Sequence, residues 1–189
     1  MSAPYRVGAA AAAPVSLEEA CAHVRANLGD DDMVIATLLD AATELVSEAC
    51  GLVLGAESWA IRFVASGSVD VPLQKAPVTS LTAISWIAAD GTSVTGDVAN
   101  FIIVQGQDKP MIRPVTGQSW PVTALRADAI TATFAAGLTT VPRGLAVAIL
   151  MVLGTLYDHR ESVSEVNLTE VPMAAKALID IHRRGWVAA

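Results

Sequence analysis

The chain has 189 residues, enough for one domain, or one domain with a sizeable insertion, and for a core that folds without disulfides or metal. Hydrophobic residues make up 53% and charged residues 16%, which excludes wholesale disorder, and a mean hydropathy of +0.49 makes self-association an expectation. The net charge of −7 argues against a general nucleic-acid or anionic-membrane binder, because both need surplus Lys and Arg.

Residues 1–15 contain Arg6, the run Ala9 to Ala13 and Pro14. The run is too short and too poor in Leu for a secretory signal, so the segment is expected to be a flexible tail. The first helix should begin at Ser16, an N-cap, with Glu19 three residues on completing a capping box. Leu17, Ala20, Cys21, Val24 and Leu28 follow at helical spacing, and Gly29 should stop the helix. Asp30, Asp31 and Asp32 open a second helix, where negative charge complements the helix dipole. Its stripe is Ile35, Leu38, Leu39, Ala42, Leu45, Val46 and Ala49, with Gly51 as the stop. Asp40, Glu44 and Glu48 recur at four-residue spacing as one exposed acidic edge. Through Ala60 the chain holds nine acids against Arg6 and Arg25, so all the excess negative charge lies there.

The middle of the chain changes period. Ser58–Val64, Val69–Leu73, Leu81–Ala88, Phe101–Val104 and Ala129–Phe134 read as short strands between turn signals such as Ser66-Gly67, Gly96-Asp97 and Trp120-Pro121. Asp90-Gly91 after an alternating run marks a hairpin. Pro142 then suits the first residue of a third helix, since its missing N–H would be unpaired there anyway. Leu145, Ile149, Val152, Leu153 and Leu156 form its core stripe, while Val147, Leu150 and Met151 fill the opposite side. A helix apolar all round must be covered on all sides, by its own fold or by a neighbouring subunit. A last helix from near Pro172 is expected to turn Ala174, Ala177, Leu178 and Ile181 inward, with Lys176, Asp180 and Arg184 on the wet side. The resulting fold class is α+β: two N-terminal helices, a β-rich insertion over residues 57–136, and two C-terminal helices, all in one domain over 16–184 with a tail at 185–189.

No pattern carries chemistry. His23, His159 and His182 fall in helical segments outside any nucleophile motif, and Asp158-His159-Arg160-Glu161 reads as a charged helix end. Cys21 and His23, two apart, share no helix face. The Asp30–Asp32 triplet lacks the alternating ligands, Gly and Glu of a calcium loop. No phosphate-binding or dinucleotide fingerprint is present, and Cys21 and Cys50 are expected to be buried free thiols made in a reducing cytoplasm. Trp59, Trp86 and Trp120 lie in or beside strands, where core or rim roles are expected. The longest uncharged apolar stretch, Gly144 to Tyr157, is shorter than the roughly 20 residues that span a bilayer. From the residues alone the chain reads as a non-catalytic, self-associating protein with no cofactor or metal.

The order of motifs adds a resemblance. Val15-Ser16-Leu17-Glu18-Glu19-Ala20, the Asp-rich break and Glu48-Ala49-Cys50-Gly51 resemble the opening of phage head–tail connector (adaptor) proteins. Trp59 in a strand, Leu73 with Pro77, Val78 and Ser80, Asp90-Gly91 and Trp120-Pro121 continue the pattern. Phe134-x-x-Gly137, Val141-Pro142, Ala148-Ile149-Leu150 and Tyr157-x-x-Arg160-Glu161 close it, over about Val15 to Arg184. Cys21 and His23 depart from it, and the alanine-rich start lies outside it.

The resemblance implies a structural component of a phage or gene transfer agent particle, at its head–tail junction. Such adaptors form a dodecameric ring that joins the portal protein to the stopper or tail and leaves a channel for double-stranded DNA. The helical bundle builds the ring, the C-terminal segment engages the portal, and an acidic channel wall lets DNA slide without adhering. The interface residues expected on this basis are Val147 and Met151 toward a neighbouring subunit, and Arg183, Arg184 and Trp186 toward the portal; Trp186 folding back on the helices is the other reading. Two competing classes stay open: an enzyme or carbohydrate-binding module using exposed tryptophans of the insertion, and an oligomeric cytoplasmic regulator.

Overall fold

The computed structural model describes residues 2–27, 29, 31–67, 69–105, 109–159 and 172–183. They form two compact units. A helical unit is built from Ala12–Gly55 and from Thr139 onward, and a β unit from the segment up to Ala11 and from Ala56–Leu138.

In the helical unit, α1 (Leu17–Val24) starts with Ser16, whose hydroxyl accepts from the Glu19 N–H while the Glu19 carboxylate accepts from the Ser16 N–H. This is the reciprocal capping the sequence predicts. The helix ends earlier than Gly29, because Arg25 takes a left-handed conformation (φ 59°) and its N–H closes back on the last turn. α2 (Asp32–Cys50) runs 19 residues and stops at Gly51, φ 68°, where a residue without a side chain costs least. Ile35, Leu39, Ala42, Val46 and Cys50 are its buried row. α3 (Arg143–Asp158) begins directly after Pro142, whose carbonyl accepts from Leu145 and Ala146. Leu145, Ile149, Val152 and Leu153 are buried as expected, with Ala148, whereas Leu156 is only half-buried.

α4 (Met173–His182) departs from expectation. Ala175 and Ile179 are buried, with Leu178 and His182 half-buried, and Ala174, Ala177 and Ile181 face solvent. The helix is apolar on two sides, so periodicity alone could not choose the side that meets α3, and it chose the outer one. α3 packs against α1, α2 and α4. It does so partly through glycine: a Cβ on Gly154 would lie 3.5 Å from the His23 ring, and one on Gly144 would lie 3.4 Å from the His182 ring.

The β unit holds two antiparallel sheets. The first has the order β1 (Tyr5–Arg6), β2 (Glu57–Phe63), β8 (Ile130–Ala136), β4 (Val78–Ile87), β5 (Ser93–Thr95). The second has the order β3 (Val71–Pro72), β7 (Met111–Pro114), β6 (Phe101–Val104). Register aligns Ile61 and Ile84 on either side of Ala132, and Phe63 and Trp86 on either side of Ile130. Side chains alternate across a strand, which makes this one face apolar. The Asp90-Gly91 hairpin forms between β4 and β5, with the Asp90 carboxylate accepting from the Thr92 N–H at 2.9 Å and hydroxyl at 2.7 Å.

Tyr5–Arg6 lies within the segment expected to be a flexible tail, yet it pairs with β2 as an edge strand. The Ser2 N–H donates to the Arg62 carbonyl (2.9 Å) and that of Val7 to the Ser58 carbonyl (2.8 Å). Arg6 sits 3.3 Å from the Glu57 carboxylate, and the Arg62 guanidinium lies 5.2 Å above the Tyr5 ring. Pairing, charge and stacking together hold a strand too short for periodicity to reveal.

Candidate functional site

A catalytic centre needs groups that meet, and the histidines do not. His23 lies against Gly154 and His182 against Gly144, ten residues apart along α3. His159 caps the end of α3, its Nδ1 2.7 Å from the Thr155 carbonyl. Among the described residues no group of three or more His, Cys, Asp or Glu side chains could hold a metal ion. Two of the three aspartates at the start of α2 have structural partners: Asp31 accepts from the Tyr157 hydroxyl (2.8 Å) and Asp32 from the Gly29 N–H (2.9 Å). Asp30 lies outside the described residues.

Both cysteines are free and buried. Burial pushes the Cys21 thiol above its ordinary value, and the adjacent Asp32 charge adds to the shift. Burial does the same to Cys50. Neither sits where a thiolate would be favoured, which is what a reactive cysteine requires.

Two of the strand tryptophans are core residues. Trp120 is buried between the two sheets of the β unit, edge-on to Phe63 (5.3 Å between centroids) and tilted against Phe101 (5.0 Å), with its Nε1–H donating to the Val69 carbonyl at 2.7 Å. Trp59 is buried beneath the Arg6 guanidinium and the Lys75 ammonium, 5.4 and 4.3 Å from its ring. Trp86 is half-buried, and its ring occupies the space a Cβ on Gly96 would take, 2.3 Å away. A sugar-binding platform needs an open aromatic face, and Trp59 and Trp120 offer none.

Two shallow concavities lie on the β unit. One, of 240 Å³, has Arg62, Thr131 and Ser85 side by side across β2, β8 and β4, with Arg126 paired to Asp128 through two contacts of 2.6 and 2.7 Å. The hydrogen bonds from Arg126 hold the Asp128 carboxyl below the usual carboxylate range, so the pair is a surface clasp with no base poised to act. The other, of 720 Å³, is a broad dip between Val64–Gly67 and Ser119–Ala127 lined mainly by apolar atoms.

Apolar side chains are exposed on both units: Val64, Val122 and Leu125 line the 720 Å³ dip of the β unit, and others lie on the helical unit. Met173 is 91% exposed, Ile181 75%, Val34 and Leu45 45% each, and Val147 41%. Met151 is half-buried. Single exposed apolar residues are ordinary, but these recur along helices that each also have a buried row. Arg183 lies 3.8 Å from the Asp180 carboxylate; Arg184 and Trp186 lie outside the described residues. Among the described residues no helix is long and apolar enough to cross a membrane. Val147, expected off the core stripe of α3, is exposed, and so are Leu45, Ala177 and Ile181, which were expected in core stripes.

No protein-family profile matches the chain, and no curated protein matches it in sequence. Solved structures do. The fold is similar, over 100% of this chain and 98% of the other, to a chain in the neck of an empty gene transfer agent (GTA) particle computed with C6 symmetry, with TM-score 0.77 and 20% identity. A chain in the virion of a native GTA particle matches 98% of this chain over 97% of its own, at TM-score 0.76 and 20% identity. A chain in the neck of a native GTA particle computed with C12 symmetry matches over 100% and 98%, at 0.75 and 20%. The two helix pairs and the β insertion therefore make up a fold found in GTA neck chains, in the order that the resemblance to head–tail connectors implied.

Proposed function

We propose that this chain is a structural head–tail connector of a phage-like or gene transfer agent particle: copies form a ring that joins the portal to the stopper or tail around a DNA channel. The observation that carries this reading is the end-to-end match of fold to neck chains, covering 97% or more of each chain. A whole-chain match argues for a shared architecture more strongly than a common small motif does, although fold alone never fixes function. The C12 symmetry with which one such neck was computed fits a dodecameric ring. The apolar side chains exposed on α2, α3 and α4 fit a chain that buries them only in an assembly.

In this reading Val147 and Met151 face a neighbouring subunit, and Arg183, Arg184 and Trp186 engage the portal. DNA passes without sequence-specific contacts, and the protein performs no catalysis. The net charge of −7 suits a channel that phosphates do not adhere to. Deleting the gene in a producing strain tests the proposal. Filled heads without attached tails, restored by the chain supplied in trans, are the expected result; normal tailed particles would refute it.

A further inference from the structure

The exposed faces of α2 and α4 are complementary in character and opposite in charge. On α2, Val34, Leu38, Ala41 and Leu45 follow at i, i+4, i+7 and i+11, one stripe of a helix. Val34, Ala41 and Leu45 are exposed and Leu38 half-buried. Beside that stripe stand Asp40, Glu44 and Glu48, all exposed, with no base among the residues of the helix. On α4, Met173, Ala177 and Ile181 follow at i, i+4 and i+8, all exposed and turned away from the row that packs on α3. Among the described residues the bases beside it are Lys176 on α4 and Arg143 at the start of α3, next to the Gly144 that packs on His182, while the acid of α4, Asp180, lies 3.8 Å from Arg183. α2 and α4 both pack on α3 and also touch each other in the same unit, yet the two outer stripes stay exposed within one copy.

We infer that the ring contact is head-to-tail, with the acidic-flanked α2 stripe of one copy seated on the basic-flanked α4 stripe of the next. This rests on the ring reading above and adds to it the two faces and their polarity. Two different faces meeting repeatedly give a heterologous interface, which generates rings when the rotation closes. The self-paired alternative would set the three α2 acids against their own copies, and like charges juxtaposed across an interface are selected against. It also explains why α4 carries two apolar stripes: one serves the monomer and the other the assembly.

Two sets of variants of the full chain test the polarity, with portal-bearing heads as the assembly template and imaging of the neck plus non-reducing electrophoresis as readouts. Asp40→Lys/Glu44→Lys alone and Arg143→Glu/Lys176→Glu alone should each lose the ring, while an equal mixture should restore it, since alternating copies then make only complementary contacts. Ala41→Cys with Ala177→Cys in one chain should yield a ladder of linked copies under oxidising conditions, and either cysteine alone should not. Dimers from Ala41→Cys alone would overturn the inference in favour of a self-paired face. A normal ring in both charge variants, or a ring without a ladder, would overturn the face assignment and leave the ring standing. A wild-type chain that joins heads without forming a ring would overturn both readings.

Discussion

The Tyr157 hydroxyl donates to the Asp31 carboxylate at 2.8 Å, 126 residues apart in sequence. It ties the last turn of α3 to the residue that precedes α2. A hydrogen bond to a charged acceptor contributes about 1.5–3 kcal/mol. Tyr157→Phe should lower the stability of the helical unit by about that amount in denaturant titration, and Asp31→Asn by less, since an amide oxygen still accepts. Equal melting of Tyr157→Phe and the natural chain would show that the contact is not formed in solution.

Leu153 is fully buried on α3, whereas Leu156, on the same expected stripe, is half-buried. Removing buried methylenes loses transfer energy and leaves a cavity, so Leu153→Ala should cost about 2–5 kcal/mol. Leu156→Ala should cost clearly less. The order of the two unfolding midpoints checks this, and a reversed order contradicts the packing of α3.

Cys21 and Cys50 should resist thiol reagents in the folded state. Burial raises both thiols above their ordinary values, with Asp32 adding to the shift at Cys21, so the reactive thiolate is scarcer at neutral pH and sterically covered. Alkylation at pH 7.5 should be slow for the native chain and rapid after unfolding in guanidinium. Fast labelling of either cysteine in the native protein would mean that the helical unit opens readily.

Legibility in the sequence followed local chemistry. α2 was readable as an element, because a long apolar row, an acidic start and Gly51 all agree on one helix, although Leu45 of the expected row faces solvent. The β4–β5 hairpin was readable from Asp90-Gly91, whose side chain and positive φ make the turn. β7 was not: Met111–Pro114 carries one proline at its end and follows another, Pro110, and proline argues against a strand flanked on both sides. Yet β7 is the middle strand of its sheet, with its proline at the end of the pairing with β6. The outer faces were the hardest part. On α4 an interface stripe and a core stripe have the same period, and only packing on α3 tells them apart. The tryptophans were weighed correctly as core residues for Trp59 and Trp120, whose residue type and place in or beside strands were sufficient signals.

The C-terminal residues supply a separate prediction. Arg183, Arg184 and Trp186 are of the types that dominate interface energies, often at about 2 kcal/mol or more each. Removing residues 183–189 should abolish attachment to portal-bearing heads while leaving the melting behaviour nearly unchanged and the copies able to contact one another through α2 and α4. A truncated chain that still joins heads normally would refute portal docking by this segment.

Whether copies close into a ring decides the rest. Purified chain can be added to isolated portal and imaged by electron cryo-microscopy without imposed symmetry. A closed ring of twelve copies coaxial with the portal, with α2 of each copy against α4 of the next, is the expected result. Single copies scattered on the portal, or a chain that never associates with it, would refute the connector role.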